Sequence, residues 1–248
     1  MRRPTTAMVL AAGLGTRLRP LTLERPKALV AVAGRALIDH MLDRLAAAGI
    51  TRVVVNVHAH ADQLEAHLAR RGDLEVTISD ERGGLLETGG GLKAARAHLG
   101  DAPILVANID SIWTEPDGPL IDRLIGAWDG MRMDDLLSLA PLENSLGFDG
   151  PGDFFRSLDG QLAPRAEAAR APHAYMGLHM MNPAIIDAWP ASAHGIFGHW
   201  VDMAQAGRLH GLVMDGLWMH VGDPAALVAA EIRLSEMRVA QARLDAGS

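Results

Sequence analysis

Apolar residues follow two spacings in the first half of the chain. Short, mainly apolar runs at Ala7–Ala12, Val53–Val57 and Ile104–Asn108 have the length of buried strands, and Val76–Ser79 reads as another strand. Between them, apolar positions recur at helical spacing. Leu37, Ile38, Met41, Leu42 and Leu45 share one face of a helix predicted over Ala36–Ala48, and Gly49 stops it. Asp62 and Glu65 read as a capping box for a second helix reaching Arg71. Glu87-Thr88-Gly89-Gly90-Gly91 opens a third helix, to about His98, and a helix over 119–129 and a strand over 135–139 continue the succession. Alternating strands and helices predict an α/β fold with a doubly wound, mostly parallel sheet. Ligands of such sheets gather at the carboxyl ends of the strands, where Gly13 and Asp110 fall.

Beyond residue 140 the pattern loosens. Gly147 to Pro172 is rich in Gly, Pro, Ala and Asp, with short strand candidates at Asp153–Ser157 and Gln161–Ala163. His173–Met181 reads as a return strand. A helix from about His199 to Ala206 leads to strands at 209–214 and Leu217–Val221. A last helix then runs from Pro224 to about Ala240, with Asp223 as its cap. There is no repeat of 20–50 residues. The 248 residues are expected to form a single domain.

Composition narrows the function classes. Apolar residues make up 49% of the chain, enough for a sizeable core. The net charge of −7, with no long basic run, argues against a nucleic-acid binder. There is no cysteine, which excludes a disulfide framework and a thiolate metal site. No apolar run approaches the roughly 18 residues of a membrane span. Met1-Arg2-Arg3 leads directly into a strand rather than a signal-peptide core. A cytoplasmic location with no membrane partner is therefore expected. Arginine supplies almost all the positive charge, and only Lys27 and Lys93 are lysines.

The candidate chemistry begins where the first strand ends. Gly13 and Gly15 let the backbone turn sharply and approach a ligand, and the outward amides of such a turn bind anions. Arg17 and Lys27 follow as cations within reach of a phosphate there. Leu18 stands where a dinucleotide fingerprint needs its third glycine, and no Gly-Lys-Ser/Thr marks a Walker loop.

From Leu10 to Leu29 the chain fills every fixed position of L-A-A-G-x-G-T-R-L-x-P-L-T-x-x-x-P-K-x-L. It thereby resembles the sugar-1-phosphate nucleotidyltransferases, the nucleoside-diphosphate-sugar pyrophosphorylases. The resemblance covers nearly the whole chain and is densest in residues 7–34, 84–115 and 217–227. It implies a Rossmann-like nucleotidyltransferase fold with a small sugar-binding β subdomain. The nucleotide-binding part would span about 1–140, and the sugar-binding part with the C-terminal helix about 141–248. No hexapeptide β-helix follows, so the fused acyltransferase domain of some members is not expected. The implied substrates are a nucleoside triphosphate and a sugar 1-phosphate, joined with release of pyrophosphate and with Mg²⁺ or Mn²⁺ as cofactor. Such a reaction needs positioning and charge neutralisation, not a protein nucleophile.

The resemblance also assigns roles residue by residue. Gly13, Leu14, Gly15 and Thr16 would cradle the triphosphate. Arg17 would neutralise the β- and γ-phosphates, and Lys27 would bridge the sugar phosphate and the α-phosphate. Asp110, in Asn108-Ile109-Asp110, corresponds to the metal-binding aspartate. Asn108 would hold sugar or ribose hydroxyls. Glu81, Thr88 and Gly89 fall where the base is read, with backbone contacts from Ala11, Ala12 and Gly13. Asp153 and Gly177 would face the sugar, with an ordinary turn aspartate and a packing glycine as the competing readings.

The family's C-terminal Trp-x-Asp-x-Gly-Thr-Pro is altered to Trp218-Met219-His220-Val221-Gly222-Asp223-Pro224. Imidazole suits Mn²⁺ better than Mg²⁺. Either His220 contacts the metal, or Asp223 or substrate phosphates supply the missing oxygens. Packing for His220 and helix capping for Asp223 are the alternatives. The family's sugar-phosphate lysine in Glu-Lys-Pro is missing, so that contact is absent or falls to an arginine such as Arg165. Leu86-Glu87-Thr88-Gly89-Gly90-Gly91, Gly152-Asp153-Phe154 and Trp113-Thr114 resemble segments of bacterial N-acetylmuramate-1-phosphate uridylyltransferases, with UTP as donor. Guanylyltransferases for mannose or heptose 1-phosphate are the alternative, followed by glucose-1-phosphate thymidylyltransferases. A non-catalytic nucleotide-sugar sensor is the reading from another class.

Overall fold

The computed structural model describes residues 3–116 and 118–246. Its centre is β1 (Thr6–Leu10), an apolar strand buried on both faces. Ala7 and Val9 point into one core layer and Met8 into the other, as the two-residue period of a strand requires. From β1 the chain passes through short 3-10 turns at Thr16–Leu18 and Lys27–Leu29. A ribbon of β2 (Ala31–Val32) and β3 (Arg35–Ala36) leads into α1 (Leu37–Ala47), and β4 (Arg52–Val57) returns beside β1. Then α2 (Ala61–Leu68) leads to the edge strand β5 (Glu75–Asp80). Helix α3 (Glu87–Leu99) carries the chain back across the sheet to β6 (Ile104–Asn108), on the other side of β1. The order β6-β1-β4-β5 is all parallel, and the winding reverses between β1 and β6. The loops leaving those two strand ends diverge, which opens a crevice between them.

The second half extends the same sheet. After β7 (Ser111–Trp113) and α4 (Leu120–Ala127) come β8 (Asp135–Pro141), β9 (Ser145–Leu146), and the hairpin β10 (Phe154–Arg156) and β11 (Leu162–Pro164). Then β12 (His173–Met181) inserts antiparallel between β6 and β8. Helix α5 (Phe197–Gln205) precedes β13 (Leu209–Val213), which pairs parallel with β8. The nine-stranded sheet is therefore parallel around β1 and mixed beyond β6. A separate small sheet has the order β7-β14-β9, where β14 is Trp218–His220. Helix α6 (Pro224–Ala246) follows it.

Helices cover both faces. One core layer holds α1, α2, α4 and Ala230 of α6, and the other holds α3 and α5. No helix among the described residues is long and apolar enough to cross a membrane. The capping box expected at Asp62 and Glu65 does not form. His60, at φ 53°, takes the cap position, so Asp62 lies inside the first turn and pairs with Arg82. Asp223 does cap α6, accepting from the Ala226 N–H at 2.9 Å.

Candidate active site

The crevice between β1 and β6 has a volume of about 200 Å³. One wall is the end of β1, with Leu10, Ala12 and Gly13, together with Lys27. Asn56, Glu81 and the α3 entry (Leu85, Glu87, Thr88) form the floor, and Asn108 to Asp110 form the opposite wall.

The turn after β1 is shaped by its glycines. Gly15 has φ +59°, and a Cβ there would lie 2.9 Å from both Lys27 Cβ and Thr22 Cγ2. Its carbonyl also accepts the Thr22 hydroxyl at 2.8 Å. A left-handed backbone and a close neighbour both demand glycine here, and together they bring Lys27 back to the crevice. A Cβ on Gly13 would meet nothing within 4 Å, so the backbone there faces open space. Among the described residues no acceptor takes the N–H groups of Gly13, Leu14, Gly15 or Thr16, which leaves them for an anion.

Asp110 is the electrostatic centre. Lys27 Nζ lies 2.6 Å from its Oδ2, and His220 Nε2 lies 3.5 Å from the same oxygen. Burial pushes the Asp110 carboxyl up, but the Lys27 charge and the His220 hydrogen bond outweigh it and hold the group well below the usual carboxylate range. The β14–β7 register explains how His220 arrives, because it pairs His220 with Ser111, next to Asp110. His220 Nδ1 sits 3.2 Å from the Gly147 carbonyl oxygen, which can only accept. The Arg17 guanidinium lies alongside, 3.2 Å from where a Cβ on Gly222 would stand.

A model of the nucleotidyl transferase family matches residues 6–123. N-acetylmuramate alpha-1-phosphate uridylyltransferase of Caulobacter vibrioides is 53% identical over 94% of this chain and 98% of its own length. The enzyme of that name from Neisseria meningitidis is 33% identical over 91% of this chain and 96% of its own. This chain belongs to the sugar-1-phosphate nucleotidyltransferase family. Its substrate classes are accordingly a nucleoside triphosphate and a sugar 1-phosphate. The inositol-1-phosphate CTP transferase of T. maritima superposes with a TM-score of 0.75 at 15% identity, over 91% of this chain and 92% of that one, and shares the fold.

Several residues expected at the site of this nucleotidyltransferase bond to other parts of the protein. The Ala11 and Ala12 N–H groups go to Asn56 Oδ1, at 2.7 and 3.3 Å, while Ala12 still lines the crevice. Gly89 gives its N–H to the His194 carbonyl, and a Cβ there would strike the His194 ring at 2.5 Å, so it packs against that loop while Thr88 lines the crevice. Glu81 is 2% exposed, and its oxygens accept from Asn56 Nδ2 at 2.8 Å and Leu86 N at 3.1 Å.

On the sugar side, Gly177 at φ +84° sits in a bulge of β12, where a Cβ would lie 2.7 Å from Ser111 Oγ and 3.0 Å from Asn108 Cβ. It lets β12 close against Asn108. Asp153 is not among the crevice lining. Its Oδ2 accepts from Tyr175 N at 2.9 Å, and burial pushes its carboxyl up. Arg165 donates to the carbonyls of Gly152 and Ala168 and is held in its own loop. Asn56 was not expected at the site. Its only trace in the sequence is a lone amide inside the run Val53–Val57.

Proposed function

We propose that this transferase joins UTP to N-acetylmuramate 1-phosphate, giving UDP-N-acetylmuramate and pyrophosphate, as a cytoplasmic step in recycling cell-wall sugar. The observation that carries the reading is the 53% identity to the Caulobacter uridylyltransferase over nearly the full length of both chains. An oxygen of the sugar phosphate attacks the α-phosphorus of UTP. The bond from that phosphorus to the α–β bridging oxygen breaks, and pyrophosphate leaves with the bond's electrons.

The free amides from Gly13 to Thr16 and the Arg17 guanidinium would hold the β- and γ-phosphates and the departing charge. Lys27 would sit between the two reacting phosphates, keeping its contact with Asp110. Asn108 would hold hydroxyls. The nucleotide would lie on residues up to about 140, and the sugar on the part from 141, with Asp153 and Gly177 as its nearest supports.

Asp110 and His220 are the residues that would hold a divalent cation. One carboxylate and one imidazole nitrogen fit such an ion if substrate phosphates complete its shell, since no cluster of three His, Cys, Asp or Glu occurs among the described residues. When bound, the ion would neutralise charge on the phosphate oxygens. An imidazole in the set favours Mn²⁺ over Mg²⁺ more than two carboxylates would.

The test is pyrophosphate release with Mg²⁺ and with Mn²⁺, crossing UTP, GTP, dTTP, CTP and ATP with a panel of sugar 1-phosphates. Turnover confined to UTP and N-acetylmuramate 1-phosphate is expected. Faster turnover of GTP with mannose or heptose 1-phosphate overturns the substrate reading.

A further inference from the structure

We infer that Asn56 is a positioning residue for the nucleoside triphosphate, locking the start of the phosphate turn and Glu81 into one frame. This rests on reading the β1–β6 crevice as the nucleotide site, and it goes beyond that reading by naming the part that keeps the site in shape.

Asn56 is the fifth residue of β4 and is 3% exposed. Its neighbours Val55 and Val57 turn into the α1 layer, so the amide points to the opposite face, toward the α3 entry. A buried amide destabilises a fold unless its atoms are bonded. Here they are. Oδ1 accepts from Ala11 N at 2.7 Å and Ala12 N at 3.3 Å, and Nδ2 donates to Glu81 Oε1 at 2.8 Å. Glu81 Oε2 in turn accepts from Leu86 N at 3.1 Å. One side chain thus ties together the ends of β1 and β4, the residue just after β5, and the approach to α3.

The chemistry of the bonds requires an amide at this position. The groups facing it are two N–H donors on one side and a carboxylate on the other. Aspartate would accept from the first pair and repel the second. Leucine, nearly the same size, would orphan all of them. Gly91 supports the same conclusion from the other direction. A Cβ there would stand 2.8 Å from Glu81 Oε1 and 3.1 Å from Asn56 Nδ2, so the last glycine of the Gly89-Gly90-Gly91 run makes room for this network.

The frame acts on binding because of what it touches. Ala12 is followed directly by Gly13, where the free amides begin, so the bonds from Asn56 fix the point at which the turn leaves the strand. Lys27 and Asp110 are held by different contacts, namely their own ion pair, the Gly15–Thr22 bond and His220. Loss of Asn56 should therefore loosen the grip on the triphosphate and leave the reacting groups in order.

Steady-state kinetics of Asn56→Ala and Asn56→Asp, with the triphosphate that the unmodified enzyme turns over fastest, test this. For Asn56→Ala the expected result is a rise in the triphosphate KM of about tenfold or more. The sugar 1-phosphate KM should hold, and kcat should fall less than about threefold. Asn56→Asp should raise the triphosphate KM further, through its charge beside Glu81. The pair Asn56→Ala/Glu81→Ala should be no worse than Asn56→Ala, because both act through one network. Should Asn56→Ala not fold, Gly91→Ala strains the same contacts while keeping both side chains, and should raise the same KM.

A kcat loss with unchanged triphosphate KM, or equal rises in both KM values, overturns the inference. So does full additivity in the double variant. A preference for another base overturns the uridylyl reading instead and leaves this inference standing.

Discussion

Two aspartates, Asp110 and Asp135, show how similar partners make different kinds of site. Asp110 follows the carboxyl end of β6, and Asp135 opens β8. Each has a histidine beside it. Asp135 is fully buried and uses both oxygens, accepting from His179 Nδ1 at 2.6 Å and Trp200 Nε1 at 2.8 Å. It joins β8, β12 and α5 from inside the core. The partners of Asp110 both lean on Oδ2, and its side chain keeps 18% of its surface exposed in the crevice. Its other oxygen has no partner among the described residues. The role of a carboxylate is decided by what its second oxygen meets: a donor that completes a tie, or an opening that admits a ligand.

The largest effect should come from Asp110→Asn. Turnover is expected to fall by about 10³-fold, comparable to the loss of a strong charge-stabilising group, while thermal unfolding shifts little. A folded variant with undiminished pyrophosphate release would break the distinction. Asp135→Asn should do the reverse. Breaking a buried pair costs about 3–5 kcal/mol of stability, measured by urea unfolding, and kcat per folded molecule should stay within about twofold.

Trp200→Phe sharpens the point, because it removes the donor to Asp135 Oδ2 and trims a ring packed on Tyr175 and His179, while leaving the His179 bond in place. It should destabilise by about 1–3 kcal/mol, again without a change in kcat. The smallest effect is predicted for Asp223→Ala. Loss of a helix cap costs about 1 kcal/mol, and unchanged metal dependence of turnover would assign this third aspartate to α6 alone.

The first half of the fold was legible because β1, β4 and β6 are apolar runs buried on both faces and helices connect the parallel strands. Such runs declare themselves without knowledge of their neighbours. The bounds of β12, His173–Met181, were equally plain, but its direction was not. An apolar run looks the same whether it joins parallel or antiparallel to β6. The Asp135–His179 tie depends on the register of β8 against β12, which a bulge interrupts between Tyr175 and His179, so no local spacing predicts it.

Lys27 and Asp110, 83 positions apart, were linked by family likeness and not by pattern. Asn56 was hidden for the opposite reason. One amide in a run of valines reads as a tolerated exception until the strand ends around it are in view. Asp62 misled because it is a better cap by composition than His60, while the backbone enters the helix two residues earlier.

The small sheet that brings His220 to Asp110 also sets an order of events in folding. Trp218 of β14 bonds Ser111 of β7 across 107 positions of chain. Pairings this remote in sequence form slowly, because a long loop must close before any contact rewards it. The pairings β1–β4 and β4–β5 close over less than half that span and can assemble first. In a refolding time course, helical circular dichroism should therefore recover on a faster clock than catalysis, whose last component arrives with β14.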